Sequence, residues 1–507
     1  MDEASKPNVL LLVIDACRAD LLPPYGGTAD APAIRRLAEE ATVFERALSP
    51  APWTLPAMTS VLTGLYPHEH GATSRGFELD AGRTVTRDLA AAGYRCLHLS
   101  PKTWLGEWLP QGRGFHRVEE FTGPEHRYFD GGADVRSLSE GVSRGPEWYA
   151  AVARRAFASE SPLKSLGNAA AFLAREATGD AWLDDVRASE RAARIADARF
   201  AELADDDRPF FCYCHLMNPH LPFYLPEEFR SDVRPPDRDS HEEEVAWMRD
   251  LMDDIWRVRT GERRLGSDEI EFLRARYRDE LAYADVAVGR ILDSLREHGL
   301  ADETLVAVTG DHGEHLGEPV RGDPDDPDTE RTLLDHQTSV RFPVLRVPLL
   351  VRLPGEFDAG RRSDLVQTTR LAETVRALAG LDYDRSRSLL SEDRDEARGV
   401  ALAEYAGVVP SHPPASVDAP FVRARRRTAV VDRWKLDDVG GSRRWVELDW
   451  EAADAERVDE SRVPETVRER LISALEPTEG AAGPDADGSA RDIPDDVAEN
   501  LGDLGYL

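Results

Sequence analysis

The stretch Val9-Leu10-Leu11-Leu12-Val13-Ile14-Asp15 is a continuous apolar run closed by an acid. A strand with one wet face alternates polar and apolar residues, so an unbroken run belongs to a strand buried on both faces of a parallel sheet. Arg95 to Leu99, Pro209 to Met217, Thr304 to Thr309 and Val347 to Leu353 read the same way. Helix-period segments lie between them, at Val186 to Leu203 and at Glu269 to His298, the second with Leu281, Val288, Ile291, Leu292 and Leu295 on one stripe. Strands alternating with helices predict an α/β fold, a mostly parallel sheet with helices on both faces. Ligands of such sheets gather beyond the carboxyl ends of the strands, which is where Asp15 stands.

Two stretches interrupt this plan, about 123–180 and 226–267, and read as insertions. After Leu381 a charged run replaces the pattern, and shorter strand signals follow at Thr428 to Val431 and Arg444 to Leu448. The expected organisation is a catalytic domain over 1–395 and a C-terminal α+β subdomain over 396–507, with a flexible acidic linker at about 480–488.

The chain has 507 residues, 63 Lys+Arg and 95 Asp+Glu, a formal charge of −32. Such a surface repels nucleic acid and anionic lipid, while a local cation or basic residue still admits a small anion. Only Lys6, Lys102, Lys164 and Lys435 are lysines. Acid excess with Arg in place of Lys resembles proteins of salt-loving archaea, whose self-repulsion is screened by concentrated salt. Four cysteines are too few for a disulfide framework, and Cys212 and Cys214, two apart on one expected strand, suit buried thiols. No apolar run approaches the ~20 residues of a membrane span, and the expected compartment is the cytoplasm.

Three segments carry chemistry. Asp15 ends the first strand and on its own fits a cap or a ligand to something positive. Thr309-Gly310-Asp311-His312-Gly313-Glu314 ends another, where Asp311 and His312 offer a hard oxygen and an imidazole to one cation. In Ser49 to Pro67, Pro56 suits the first turn of a helix, which sets Thr54 at or beside a helix N-terminus. Taken alone, Thr54 reads as an N-cap.

Together and in this order, the three resemble the sulfatase family of the alkaline phosphatase superfamily. The resemblance runs over about residues 8–380 and returns in the C-terminal subdomain. It is carried by the strand ending in Asp15, the run Pro56 to His68 with Leu62-Thr63-Gly64-Leu65-Tyr66-Pro67-His68, Asp311-His312-Gly313-Glu314, Pro209-Phe210-Phe211 with Asn218-Pro219-His220, and Arg346-Val347-Pro348-Leu349-Leu350. It implies a sandwich around a large, mostly parallel sheet with a smaller C-terminal α+β subdomain. It makes Asp15, Thr54, Asp311 and His312 ligands of a divalent cation, with Thr54 at the nucleophile position. Lys102 falls on a lysine that contacts the anionic head of the substrate, and His220 on a histidine that binds substrate or assists the leaving group. His215 faces the cleft as a further substrate contact or fills the core. His336 lies near a second substrate-binding lysine of the family and stands in for it.

The chain also departs from the family. Thr54 replaces the Cys or Ser that becomes formylglycine, Met58 an Arg, Ala16 a second metal-binding Asp and Trp104 a histidine. A hydrated formylglycine expels sulfate by collapsing to the aldehyde, an exit closed to a sulfated Thr. A phosphorylated Thr is cleared by metal-activated water, so the nucleophile leans towards phosphate. The expectation is a hydrolase of a small anionic sulfate or phosphate ester. It would hold one or two divalent cations, Ca²⁺, Mg²⁺ or Mn²⁺ by the oxygen-rich donors, or Zn²⁺. A phosphotransferase to an alcohol and a non-catalytic metal-binding relative are the rivals. No segment assigns the organic part of the substrate or an oligomeric state.

Overall fold

The computed structural model describes residues 6–73, 84–100, 114–120, 132–133, 135, 138, 146–159, 161–178, 187–320, 331–337, 339–391, 399–407, 424–452 and 454–476. Lys102, Trp104 and the expected linker at 480–488 lie outside them.

The strands, in chain order, are β1 (Asn8–Ile14), β2 (Thr42–Leu48), β3 (Arg95–Ser100), β4 (Arg117–Glu120), β5 (Phe210–Leu216), β6 (Thr304–Gly310), β7 (Leu316–Val320), β8 (Arg331–Leu334), β9 (Leu349–Arg352) and β10 (Gly360–Gln367). Eight form one sheet in the order β10-β2-β9-β6-β1-β5-β3-β4, and β7 pairs with β8. β1 runs parallel to both β5 and β6, β3 is parallel to β5 and β4, and β10 to β2; β9 is antiparallel to both its neighbours. All five apolar runs are therefore strands of this sheet.

Period-2 alternation splits each buried strand between two cores. Leu10, Leu12, Cys212, Cys214, Val306 and Val308 face one core with the helices Pro32–Glu40, Ala188–Ala204 and Ser267–Glu297. Val9, Leu11, Val13, Phe211, Tyr213, Leu305 and Ala307 face the other, with the helices Thr54–Thr63, Val85–Ala91 and Arg370–Leu378. Both faces are dry, which is why these strands read as unbroken apolar runs. All four cysteines are buried free thiols.

Towards the C-terminus β11 (Ala401–Tyr405), β12 (Arg426–Val431), β13 (Trp434–Val439), β14 (Ser442–Asp449) and β15 (Asp454–Val458) form an antiparallel sheet in that order. Its one face packs the helix Glu465–Leu475 through Leu471 and Leu475. Ala401, Ala403, Val430 and Trp450 pack instead on Leu48, Phe342 and Leu345 of the preceding part. The stretch 226–267 folds as helices His241–Asp253 and Ile255–Thr260, and the described part of 123–180 contains helices Pro146–Ala158 and Pro162–Thr178.

Candidate active site

Register brings the site together. Val13 of β1 lies beside His215 of β5 and Thr309 of β6. Two residues further along, Asp15 and Asp311 leave adjacent parallel strands, on the same face as Val13 and on the side of the helix Thr54–Thr63. Asp15, Asp311 and His312 are almost completely buried, and their ligand atoms all lie within 4.8 Å of one another.

Each of these three groups has one atom tied back and another presented. Asp311 Oδ1 accepts from the backbone N–H of Ala16 at 3.0 Å and of His312 at 2.8 Å, while Oδ2 makes no hydrogen bond. Ala16 reaches this position in the left-handed region, φ 55. Ala16 thus wraps its backbone around Asp311. His312 Nδ1 donates to Gly313 O at 2.9 Å, which leaves Nε2 3.3 Å from Asp311 Oδ2 and 3.6 Å from Asp15 Oδ1. Burial, with His336 beside it, lowers His312 to about 3, so its imidazole is neutral. Burial and the adjacent Asp15 push Asp311 above the usual carboxylate range. A lone pair and two carboxylate oxygens facing one another are mutually repulsive unless a cation lies between them. Two hard oxygens with one imidazole fit Ca²⁺, Mg²⁺ or Mn²⁺, and Zn²⁺ as well.

Thr54 is the first residue of its helix and 3% exposed. The N-cap is Trp53, extended at φ −157 and ψ 161, and no side chain caps the helix. The Thr54 hydroxyl is therefore released from the capping role its position suggests, and lies 3.5 Å from His312 Nε2. Pro56, third in the helix, forfeits no helical bond, because the first turn has no internal acceptor. Leu55, Met58, Val61 and Leu62 seat the helix in the core below the sheet. Met58 is wholly inside that core.

The histidines occupy different places. His336 is buried, its ring 4.1 Å from that of His312, with Nδ1 3.2 Å from Glu314 Oε2 and 3.0 Å from Asp335 Oδ1. The partly exposed His220 ring stands 5.3 Å beyond it, so His312, His336 and His220 form a row leading outward. His215 is elsewhere: Nδ1 meets the Tyr213 hydroxyl at 2.6 Å and Nε2 meets Asp15 Oδ2 at 3.2 Å. Both its nitrogens are engaged inside the protein, which places it behind Asp15. Glu314, Asp335 and Tyr213 had no role in the sequence reading. Glu314 ends the Asp-His-Gly-Glu run and Asp335 precedes His336, while Tyr213 is two before His215 on a strand and shares its face. Asp335 is also ion-paired with Arg259.

Glycine is required at Gly313 by crowding: a Cβ there would lie 2.1 Å from the carbonyl oxygen of Pro343. At Gly310 it would lie 2.9 Å from Cys17 O. Neither glycine has positive φ. Close approach of neighbouring backbone is thus the reason for both.

The buried group Asp15, Asp311 and His312 thus lies at the carboxyl ends of β1 and β6 with the geometry to hold a metal ion, beside the hydroxyl that opens the helix Thr54–Thr63. The chain belongs to the sulfatase family, whose profile matches residues 7–381. It is 26% identical over 355 residues to the multifunctional alkaline phosphatase superfamily protein PehA of Trinickia caryophylli, covering 62% of this chain and 64% of that one. It is 23% identical to an arylsulfatase of Clostridium perfringens, again over 62% and 64%. The chain thus spans a little under two thirds of the length of the curated relatives it matches. The phosphonate monoester hydrolase of Agrobacterium radiobacter shares its fold, with a TM-score of 0.58 at 18% identity, over 92% of this chain and 94% of that one.

Proposed function

We propose that the protein is a metal-dependent hydrolase cleaving a small anionic ester, with Thr54 as nucleophile and a phosphate or phosphonate ester preferred over a sulfate. The observation that carries this reading is the Thr54 hydroxyl, uncommitted to helix capping and 3.5 Å from His312 Nε2 at the cluster formed with Asp15 and Asp311. Asp15, Asp311, His312 and the Thr54 oxygen would hold a divalent cation, which would supply neutralisation of the negative charge on the ester. Thr54 Oγ1 would release its proton to solvent and form a bond to phosphorus as the bond from phosphorus to the ester oxygen breaks, and His220 or His336 would give that oxygen a proton and regain one from solvent. Water then cleaves the Thr54 ester, releasing the acid and restoring the hydroxyl. Lys102 binds the non-bridging oxygens.

The chemistry of threonine favours phosphorus. It cannot be oxidised to the aldehyde that lets sulfate depart, whereas a phosphothreonine yields to in-line attack by water. The names of the relatives, a multifunctional superfamily protein, an arylsulfatase and a phosphonate monoester hydrolase, support an ester hydrolase and span both acids. Residues 1–395 would form the catalytic domain and 396–507 the subdomain packed on it. The acid excess supports a salt-rich cytoplasm as its setting; among the described residues no helix is long and apolar enough to cross a membrane.

The test is turnover of an aryl phosphate, a phosphodiester, a phosphonate monoester and an aryl sulfate, with Ca²⁺, Mg²⁺, Mn²⁺ and Zn²⁺ supplied in turn at high salt. Cation-dependent cleavage, fastest on a phosphorus ester, is expected. Sulfate as the best substrate would overturn the preference, transfer only to added alcohols would make the protein a transferase, and no turnover with any cation would leave a metal-binding relative.

A further inference from the structure

Asp311 and His312 are held for their task by backbone groups, which no side-chain substitution removes. Asp15 is held differently. Its Oδ1 is the oxygen on the His312 side, 3.6 Å from Nε2, and its Oδ2 lies 3.2 Å from Nε2 of His215. On the far side of that ring Nδ1 lies 2.6 Å from the Tyr213 hydroxyl. Burial first, then the charges of Asp311 and Asp15, push the Tyr213 phenol up, so it keeps its proton and donates it to Nδ1. With the phenol donating to Nδ1, the ring nitrogen left to carry a proton is Nε2, which donates it to Asp15 Oδ2. Tyr213 itself is fully buried, its ring 5.1 Å from His98 at an interplanar angle of 26° and 6.5 Å from Phe115.

We propose that His215 is a positioning residue for the cation: its Nε2–H pins Oδ2 of Asp15 so that Oδ1 is presented as a single ligand, with Tyr213 fixing the tautomer. The inference rests on the reading that Asp15 ligates a divalent cation. Alternation explains how the parts meet, because Tyr213 and His215 are two apart on β5, and Val13, two before Asp15, is the register partner of His215. The group Asp15, Asp311 and His312 holds two carboxylates. With so few charged ligands, the orientation of each weighs in the affinity, and a rotated Asp15 would forfeit the ligand. Hydrogen-bonded partners behind metal ligands typically contribute ~10–100-fold in metal affinity.

The experiment is calorimetric titration of Mn²⁺ or Ca²⁺ into the full chain after chelation, without substrate, for wild type and the variants His215→Leu, His215→Gln, Tyr213→Phe and Asp15→Asn. Thermal unfolding of each checks the fold. His215→Leu should weaken Kd by about 10–100-fold. His215→Gln, whose amide also donates, should recover most of the affinity, and Tyr213→Phe should give an intermediate loss. Excess cation should restore turnover in His215→Leu, which a general structural defect would not allow. Wild-type Kd in His215→Leu, with binding lost in Asp15→Asn, would overturn the positioning role and leave the cation reading intact. No binding by wild type, or undiminished binding by Asp15→Asn, would overturn both. Should His215→Leu not fold, Tyr213→Phe against His215→Gln decides, and wild-type affinity in both refutes the proposal.

Discussion

Replacing Thr54 with alanine separates chemistry from folding at one atom. The hydroxyl does not cap its helix, and its contact with His312 Nε2 is at 3.5 Å, the long end of hydrogen bonding. Its removal therefore costs at most ~1 kcal/mol of stability. For a chain of 507 residues the unfolding entropy at the midpoint is about 1.1 kcal/mol/K, so Tm should move by only about 1 °C. Against a typical net stability of about 5–15 kcal/mol, such a loss leaves the folded fraction essentially unchanged. Any collapse of turnover must then be chemical. Loss of the nucleophile should lower kcat by about 10⁴-fold or more, a barrier increase of about 5.4 kcal/mol. Thr54→Ser keeps the oxygen and loses only the methyl that restricts its rotamer, so it should retain measurable turnover. The assay is kcat per folded molecule on the best ester of the panel, with mass spectrometry of the peptide containing Thr54 for a covalent phosphoryl-sized adduct. Thr54→Ala turning over within about tenfold of wild type would refute the reasoning and leave water as the attacking group.

Gly313→Ala must move the Pro343 carbonyl, 2.1 Å from the new Cβ, and should cost about 1–3 kcal/mol and weaken cation binding by disturbing His312; unchanged unfolding and cation titrations would contradict this. His68 Nδ1 bonds Glu404 Oε2 at 2.8 Å, joining the segment after the Thr54 helix to the C-terminal sheet. The bond to Glu404 raises His68 above 6.5 despite partial burial, and its contribution, complete below 6.5, fades as pH rises through the folded value. Burial pushes Glu404 up, but the bond from His68 and the charges of His68 and Arg427 outweigh it and hold Glu404 below 4.5, so its contribution is present above 4.5 and fades as pH falls. The stability gap between wild type and His68→Leu should therefore be widest between about 4.5 and 6.5, and a gap independent of pH would dismiss the clasp. The charge of −32 predicts that the unfolding midpoint rises from low to molar KCl, and a flat profile would remove the salt-adapted reading.

What the sequence disclosed, and what it withheld, follows from which surfaces are dry. β1, β5 and β6 are buried on both faces, and their unbroken runs made the parallel sheet and its acid-bearing ends legible. β2 carries Glu45 and Arg46 mid-strand, and β10 begins Gly360-Arg361-Arg362 at an exposed edge with a register shift before Leu365. Neither offers an apolar run, so these two strands went unread although they extend the same sheet. Arg346 in the Arg-Val-Pro-Leu-Leu run proves to be a packing residue, its guanidinium 5.7 Å from the ring centroids of Phe342 and Trp450.

The site divides along the same line. Asp15, Asp311 and His312 were visible because each ends a strand whose burial is written in its composition. The place of His215 behind Asp15 was not, because it depends on β5 lying next to β1, an adjacency that no property of either run encodes. Strand order is decided by which helices cover which face, and that is a property of the whole chain. The same argument explains why Thr54 looked like a cap: position at a helix start is local, whereas freedom of the hydroxyl depends on Trp53 taking the N-cap position and on His312 arriving from almost 260 residues away. Residues whose chemistry is set by a neighbour in sequence are legible in advance; those set by a neighbouring strand become legible only when the register is known.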